Sequence, residues 1–308
     1  MRLVAVLLAA VSLHMHPIAP GWAIAVNDHG DILGSTFVIR SGRRHTLNGG
    51  TPVAMDARGD VLGYDGRSSI LWRADGSRVP LGLGMPAGIN DNGWAIGDGF
   101  VWHAGRRTAI DGQPKAINDR DEVVGVRNGR AFLWRNGFTT DLPSFHGELT
   151  EATAIRSRGL IVGDARPNDA ADPDHALVWQ NGTVRSLGTF GGARSVYVAA
   201  VNARNEVLVN TEFPDHHAWL WANGKARDLG TLGHPWWNVA HDLNDNGAVV
   251  GNVQRAPHGP NVPYVWRDGR FTVLPGRPSW THAAAINDAG VVVGGGYRGR
   301  EPVAVVWR

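Results

Sequence analysis

The chain has 308 residues, 43% of them hydrophobic, with 41 Gly, 13 Trp and no Cys. That composition describes a globular, turn-rich protein and excludes disulfide staples and thiolate metal sites. The formal charge is only +2 and rests almost wholly on Arg, Lys standing only at 115 and 225. These Arg residues are scattered through turns and strand ends without the clustered stripe that phosphate contacts need, so nucleic acid is not an expected partner.

Residues 1–10, an Arg followed by a short apolar stretch, read as a secretory signal peptide, which places the expected location outside the cytoplasm, extracellular or periplasmic. The stretch is too short to cross a bilayer, and no other segment reaches the ~20 apolar residues a span requires. Residues 11–308 read as a single domain.

From Ala25 onward the chain repeats itself. The pattern Ala-x-apolar-Asn-Asp-x-Gly-x-apolar-apolar-Gly begins at Ala25-Val26-Asn27-Asp28 and is cleanest again at Ala116-Ile117-Asn118-Asp119 and Ala285-Ile286-Asn287-Asp288. Its Asn position falls at Asn27, Asp56, Asn90, Asn118, Arg156, Asn202, Asn244 and Asn287, which makes eight copies. Seven carry Gly seven residues later, Val209 being the exception. An apolar run ending in Trp follows in seven copies, from Trp72 to Trp307, with Ile39 in the Trp place of the first. Beyond it come two-residue turns such as Asn136-Gly137, Asn181-Gly182, Asn223-Gly224 and Asp268-Gly269, which accept positive φ and join antiparallel strands. The Asn-Asp-x-Gly segments turn the chain in the same way, the Asn side chain bonding the backbone ahead of it. Each unit therefore reads as four short strands, A to D, and helical periodicity is nowhere sustained.

One four-stranded sheet cannot bury both faces, so neighbouring sheets must stack, and radial stacking gives an all-β propeller of eight blades, with seven blades or an irregular ring as the alternative. The last copy stops at Trp307-Arg308 with no strand D of its own. Leu13 stands as far before Asn27 as Leu142 stands before Arg156. Val11–Leu13 is therefore expected to close the last blade against Val303–Trp307.

The repeats, with His175-Ala176-Leu177-Val178-Trp179, His217-Ala218-Trp219-Leu220-Trp221 and Leu187-Gly188-Thr189-Phe190-Gly191-Gly192, resemble the HAF family of probable extracellular repeats over nearly the whole chain. The resemblance implies a secreted, propeller-like bacterial protein and carries over no catalytic residue.

In this strand order the A–B and C–D turns share one rim, are minimal throughout and leave no room there for a site. The B–C and D–A connections share the other rim and vary, as functional loops on a rigid scaffold do. Successive Asn positions stand close together up to Asn118 and farther apart beyond it, so the long loops belong to blades five to eight. Those loops carry the candidate ligand-binding residues Trp236, Trp237, Trp280, His146, His216 and Arg166, rings and polar groups of the kind that hold a carbohydrate or a protein partner. Trp236 and Trp237 serve equally as plugs of the channel, and His175 and His217 as structural caps of strand C.

The acidic run Asn168 to Asp174 lacks the spacing and closing Glu of a calcium loop, and Gly294-Gly295-Gly296 reads as a turn. No catalytic motif, metal site or cofactor site emerges. The expected function is that of a secreted, monomeric, non-enzymatic binding protein. The rivals are a propeller hydrolase or lyase acting on polysaccharide, which would bring two of Glu148, Asp172, Asp174 and Asp215 together in one pocket, and a purely structural surface module.

Overall fold

The computed structural model describes residues 13–308 apart from 157–158, 170–171, 213–214, 234–236, 255, 257–258 and 277–280. The described chain forms eight four-stranded antiparallel sheets arranged as a ring. Blade one, for example, is Ala23–Val26, Ile32–Gly34, Phe37–Arg40 and Arg43–Thr46, and blade five is Leu149–Ile155, Ile161–Arg166, His175–Gln180 and Thr183–Ser186. The count is eight, not seven.

Turn chemistry explains the hairpins. Asn136, Asn181, Asn223 and Asp268 all have φ near +50° and are each followed by a positive-φ Gly, the conformation that lets a two-residue loop match the twist of its strands. Ser41-Gly42 and Ala104-Gly105 do the same with less usual first residues.

Blade eight takes its outer strand from the other end of the chain. Met15–Pro20 pairs antiparallel with Glu301–Trp307, Met15 opposite Trp307 and Pro20 opposite Val303. The closing strand thus lies C-terminal to the expected Val11–Leu13; Val11 and Ser12 are outside the described residues, and Leu13 only precedes the strand. Interval counting failed here because blade one is entered from this strand through a tight turn at Gly21 (φ +97°) instead of the longer connection between blades four and five. Pro17 and Pro20 suit an edge position, since neither can offer an N–H to a further strand.

Buried side chains fall into eight clusters, one at each junction between neighbouring blades. Leu62, Leu71 and Leu81 of blade two meet Ala95, Phe100 and Trp102 of blade three. Ile32 and Phe37 of blade one meet Ala19, Val293, Ala304 and Val306 of blade eight, which closes the circle. Trp72, Trp102, Trp134, Trp179, Trp221, Trp266 and Trp307 are all buried, at most 7% exposed. Three indoles also tie their blade to the loop before it: Trp72 Nε1 donates to Asn48 O at 3.3 Å, Trp179 to Pro143 O at 2.8 Å and Trp307 to Pro275 O at 2.7 Å.

The innermost strand of every blade carries a bulge three residues before the Asn position, as at Ile24, Val53, Lys115 and His241. These four side chains are exposed although they belong to the strand nearest the axis, so they face the axial channel. In several blades the backbone of strand A also crowds the recurring Gly on strand B. A Cβ at Gly125 would lie 2.0 Å from Gln113 O, at Gly163 2.0 Å from Glu151 O, and at Gly294 2.0 Å from His282 O. At these three positions only a hydrogen fits beneath the strand-A carbonyl. Val209, buried in blade six, holds the same register opposite Val198.

Gly294-Gly295-Gly296 is a strand segment within Val292–Arg298, not a turn. Its second Gly is required by packing, because the Trp22 ring occupies the space where a Cβ would be.

Candidate functional site

Each A–B turn is organised by the residue at the Asn position. Asn244 Oδ1 accepts the N–H of Asn246 at 3.1 Å and of Ala248 at 2.8 Å, capping the turn, while its Nδ2 donates to Asn287 O of the next blade at 2.9 Å. The same outward bond links Asn27 to Asp56, Asn90 to Asn118, Asn118 to Arg156, Asn202 to Asn244, and Asn287 back to Asn27. Six of the eight junctions are bridged this way among the described residues. At about 1 kcal/mol net for each bond, the belt contributes on the order of 6 kcal/mol, comparable with the whole stability of an ordinary domain. The Asp56 side chain has no N–H to donate, and Arg156 replaces the amide in blade five.

A second circle lies beside the first. Asp28 Oδ1 accepts the Asp288 N–H at 2.8 Å, Asp288 that of Asp245 at 2.7 Å, Asp245 that of Ala203 at 2.7 Å, and Asp91 that of Ala57 at 2.7 Å. These carboxylates surround a depression of about 270 Å³ at the axis, with Asp242 and Arg156. The rim of short turns therefore does hold a cavity: individual turns are minimal, but eight of them around an axis enclose space that no single turn reveals. Burial, aided by the nearby Asp28 and Asp245, pushes the Asp288 carboxyl up. The carboxylates there serve backbone amides, and no group of three metal ligands exists among the described residues.

On the opposite rim, Trp236 and Trp280 lie outside the described residues. Trp237 opens strand A of blade seven and is half-buried, its ring edge-on to His216 at 5.9 Å. His146 is exposed and stacks on Phe145 at 4.0 Å; Phe145 in turn meets His175 edge-on at 5.1 Å. Arg166 is exposed at the end of strand B of blade five, adjoining Ala165, the register partner of His175. The four described candidates thus divide: His146 and Arg166 belong to blade five and the loop before it, Trp237 and His216 to the place where blades six and seven meet. His217 acts as the expected cap, Nδ1 lying 2.8 Å from Asp228 Oδ2 within its own blade.

The four carboxylates singled out from the sequence stand in different settings. Asp174 Oδ2 accepts the Ser195 hydroxyl at 3.0 Å, Asp172 and Asp215 are exposed, and Glu148 Oε2 is buried without a partner. A different pair faces across the inner strands of blade five, Glu151 opposite Asp164. Together with Arg166 and Leu149 they line a groove of about 170 Å³ against blade four. Glu151 is held by Lys115 at 2.8 Å. Burial pushes the Asp164 carboxyl up to about 7, with Glu151 and Asp174 adding to the rise and the bond from the Val198 N–H opposing it. The sequence did carry a signal for Asp164: it follows the strand-B Gly, where blades six and seven have Asn210 and Asn252.

No family model matches the sequence, and no curated protein matches it. Solved structures do. The β-propeller domain of the Trilobed protease from Pyrococcus furiosus, described as having an open velcro topology, is similar at 10% identity and a TM-score of 0.56, over 95% of this chain and 94% of that one. A prolyl endopeptidase structure is similar at 12% identity and a TM-score of 0.54, over 83% of this chain and 49% of that one. A chain of the mitotic checkpoint complex is similar at 13% identity and 0.53, over 82% and 87%. The chain spans about half the length of the endopeptidase it matches. At these identities the likeness is one of fold.

Proposed function

We propose that the protein is a secreted binding propeller of the HAF type whose long-loop rim engages a carbohydrate. The observation that carries this reading is a pair of features at blade five, the exposed His146 stacked on Phe145, which meets His175, and the groove lined by Glu151, Asp164 and Arg166. A flat ring platform beside charged hydrogen-bonding groups suits a polyhydroxylated ring, which offers an apolar face to stack and hydroxyls to orient. Trp237 and His216 extend the same rim toward blade seven. The proposed secretion rests on the apolar stretch of residues 1–10. A glycan array probed with wild type, Arg166→Ala, His146→Ala and Trp237→Ala tests the reading. Binding that weakens at least tenfold in Arg166→Ala supports it; binding indifferent to all three substitutions removes it.

A polysaccharide hydrolase on the same groove is favoured by one observation, the neutral-leaning Asp164 beside the ion-paired Glu151, two carboxyl groups in unlike surroundings. Release of reducing ends from polysaccharides by wild type, abolished in Glu151→Gln, would establish it in place of simple binding.

A further inference from the structure

Two neighbouring blades share a clamp that the repeat pattern does not advertise. In blade six, Asn210 is buried and grips the next blade with both ends of its amide: Nδ2 donates to Ala240 O at 2.9 Å and Oδ1 accepts the Ala240 N–H at 3.0 Å. In blade seven, Asn252 does the same to Ala283, at 3.3 and 3.1 Å. Ala240 and Ala283 each stand four residues before the Asn of their blade, so this is one device used twice.

Blade five has the device with a different side chain. Asp164 occupies the strand-B position of Asn210 and Asn252, each being the residue after the one that faces the bulge. Its target, Val198, stands four residues before Asn202 as Ala240 does before Asn244. Asp164 Oδ1 accepts the Val198 N–H at 2.9 Å, reproducing half of the clamp. For the other half the asparagines offer an N–H to a carbonyl, and an ionised carboxylate has none to offer.

We propose that Asp164 acts as a protonated stand-in for the clamp asparagine, its Oδ2–H donating to the Val198 carbonyl, so that the junction between blades five and six tightens when the proton is bound and loosens when it leaves. The surroundings favour the neutral acid. Glu151 faces it from strand A of the same blade, with Lys115 of blade four engaged on Glu151 at 2.8 Å. Asp174 approaches from the B–C loop, its Oδ2 occupied by Ser195, and Tyr197 of blade six turns its hydroxyl to Asn210. Arg166, on the same strand, favours ionisation and is outweighed: burial comes first among the causes that lift the carboxyl to about 7.

The direction follows from linkage. A carboxyl raised above its unfolded value of 3.8 contributes stability in full below that pH and loses it as pH rises toward 7. Across that window the opening equilibrium of the junction rises by up to about tenfold per pH unit and flattens above it.

The test compares wild type with Asp164→Asn, which carries the amide at every pH. Hydrogen exchange at the Val198 amide, corrected for intrinsic rate, is measured from pH 5 to 8.5 alongside melting temperature. The wild-type opening constant is expected to rise at least tenfold over that range while the variant's stays flat, and the variant's advantage in melting temperature is expected to grow with pH. Equal pH dependence in the two proteins, or a wild type more stable than the variant at pH 8.5, overturns the proposal. If the variant does not fold, the carboxyl carbon shift of Asp164 in the wild type decides: a midpoint below pH 5.5 overturns the proposal, and a higher one supports it.

Discussion

Replacing Gly125 with Ala tests the crowding of the recurring Gly by the inner strand most directly. The new methyl carbon would lie 2.0 Å from Gln113 O and 2.9 Å from both Gln113 C and Pro114 Cα. A carbon and a carbonyl oxygen settle at about 3.3 Å or more, so the overlap is roughly 1.3 Å, and the obstacle is backbone that cannot rotate out of the way. Gly125 does not have positive φ, so the cost is steric alone. Either the bulge flattens, which draws Lys115 out of its axial position and away from Glu151, or strand A lifts from strand B. Overpacking of a well-filled interior costs about 1–3 kcal/mol, and an immovable backbone neighbour puts Gly125→Ala at the top of that range. Gly137→Ala is the control, since Gly137 has φ +88° and nothing within 4 Å of a built Cβ. There the cost is conformational, about 1 kcal/mol. Urea unfolding monitored by Trp fluorescence should show the Gly125 variant losing at least twice as much as the Gly137 variant. Equal losses, or a Gly125→Ala loss no larger than the roughly 0.5 kcal/mol of an ordinary surface substitution, would refute the steric account of the repeat's Gly.

Further outcomes concern the belt and the clasp. Asn244→Ala strips the caps of Asn246 and Ala248 and the bond to Asn287 O, leaving buried backbone groups unpaired, and is expected to cost about 2–3 kcal/mol by the same urea titration. Asp56→Asn adds a donor where the belt lacks one; burial holds the Asp56 carboxyl above its ordinary range despite Arg58, so its ionisation in the folded state costs stability as pH rises from 3.8. The variant should be the more stable at pH 7, with the gap shrinking toward pH 4 in calorimetry. Deleting residues 1–20 uncovers the edge of Glu301–Trp307 and should lower the melting temperature and produce concentration-dependent oligomers by light scattering.

Much of the fold is legible in the sequence because the repeat repeats its own chemistry. Asn-Gly pairs demand I′ turns, Trp at the end of strand C demands burial, and eight copies without a hydrophobic exterior demand a ring. What escaped was set by three-dimensional closure. The position of the closing strand depends on the tight turn at Gly21, which interval counting cannot see. The cavity on the short-turn rim exists only because eight turns converge. Glu151 and Asp164 come from different strands, in a pair whose register the bulge fixes, so no local motif joins them. Asp164 shares its place after the strand-B Gly position with Asp98 of blade three and with Asn210 and Asn252, so alignment alone marks the position as Asp or Asn in four blades without separating Asp164 from Asp98.

The two places where the belt lacks its amide, Asp56 and Arg156, divide the circle into arcs of five and three blades: six, seven, eight, one and two form one, three to five the other. At the first break Asp91 still accepts the Ala57 N–H. At the second, apolar packing spans the gap together with two carboxylates, Asp164 on the Val198 N–H and Asp174 on the Ser195 hydroxyl. A hoop missing two rivets parts where they are missing, so pulling, heat or a protease should open the seam after blade two or the seam after blade five before any other yields, and the second of these adjoins the long loops of the candidate rim.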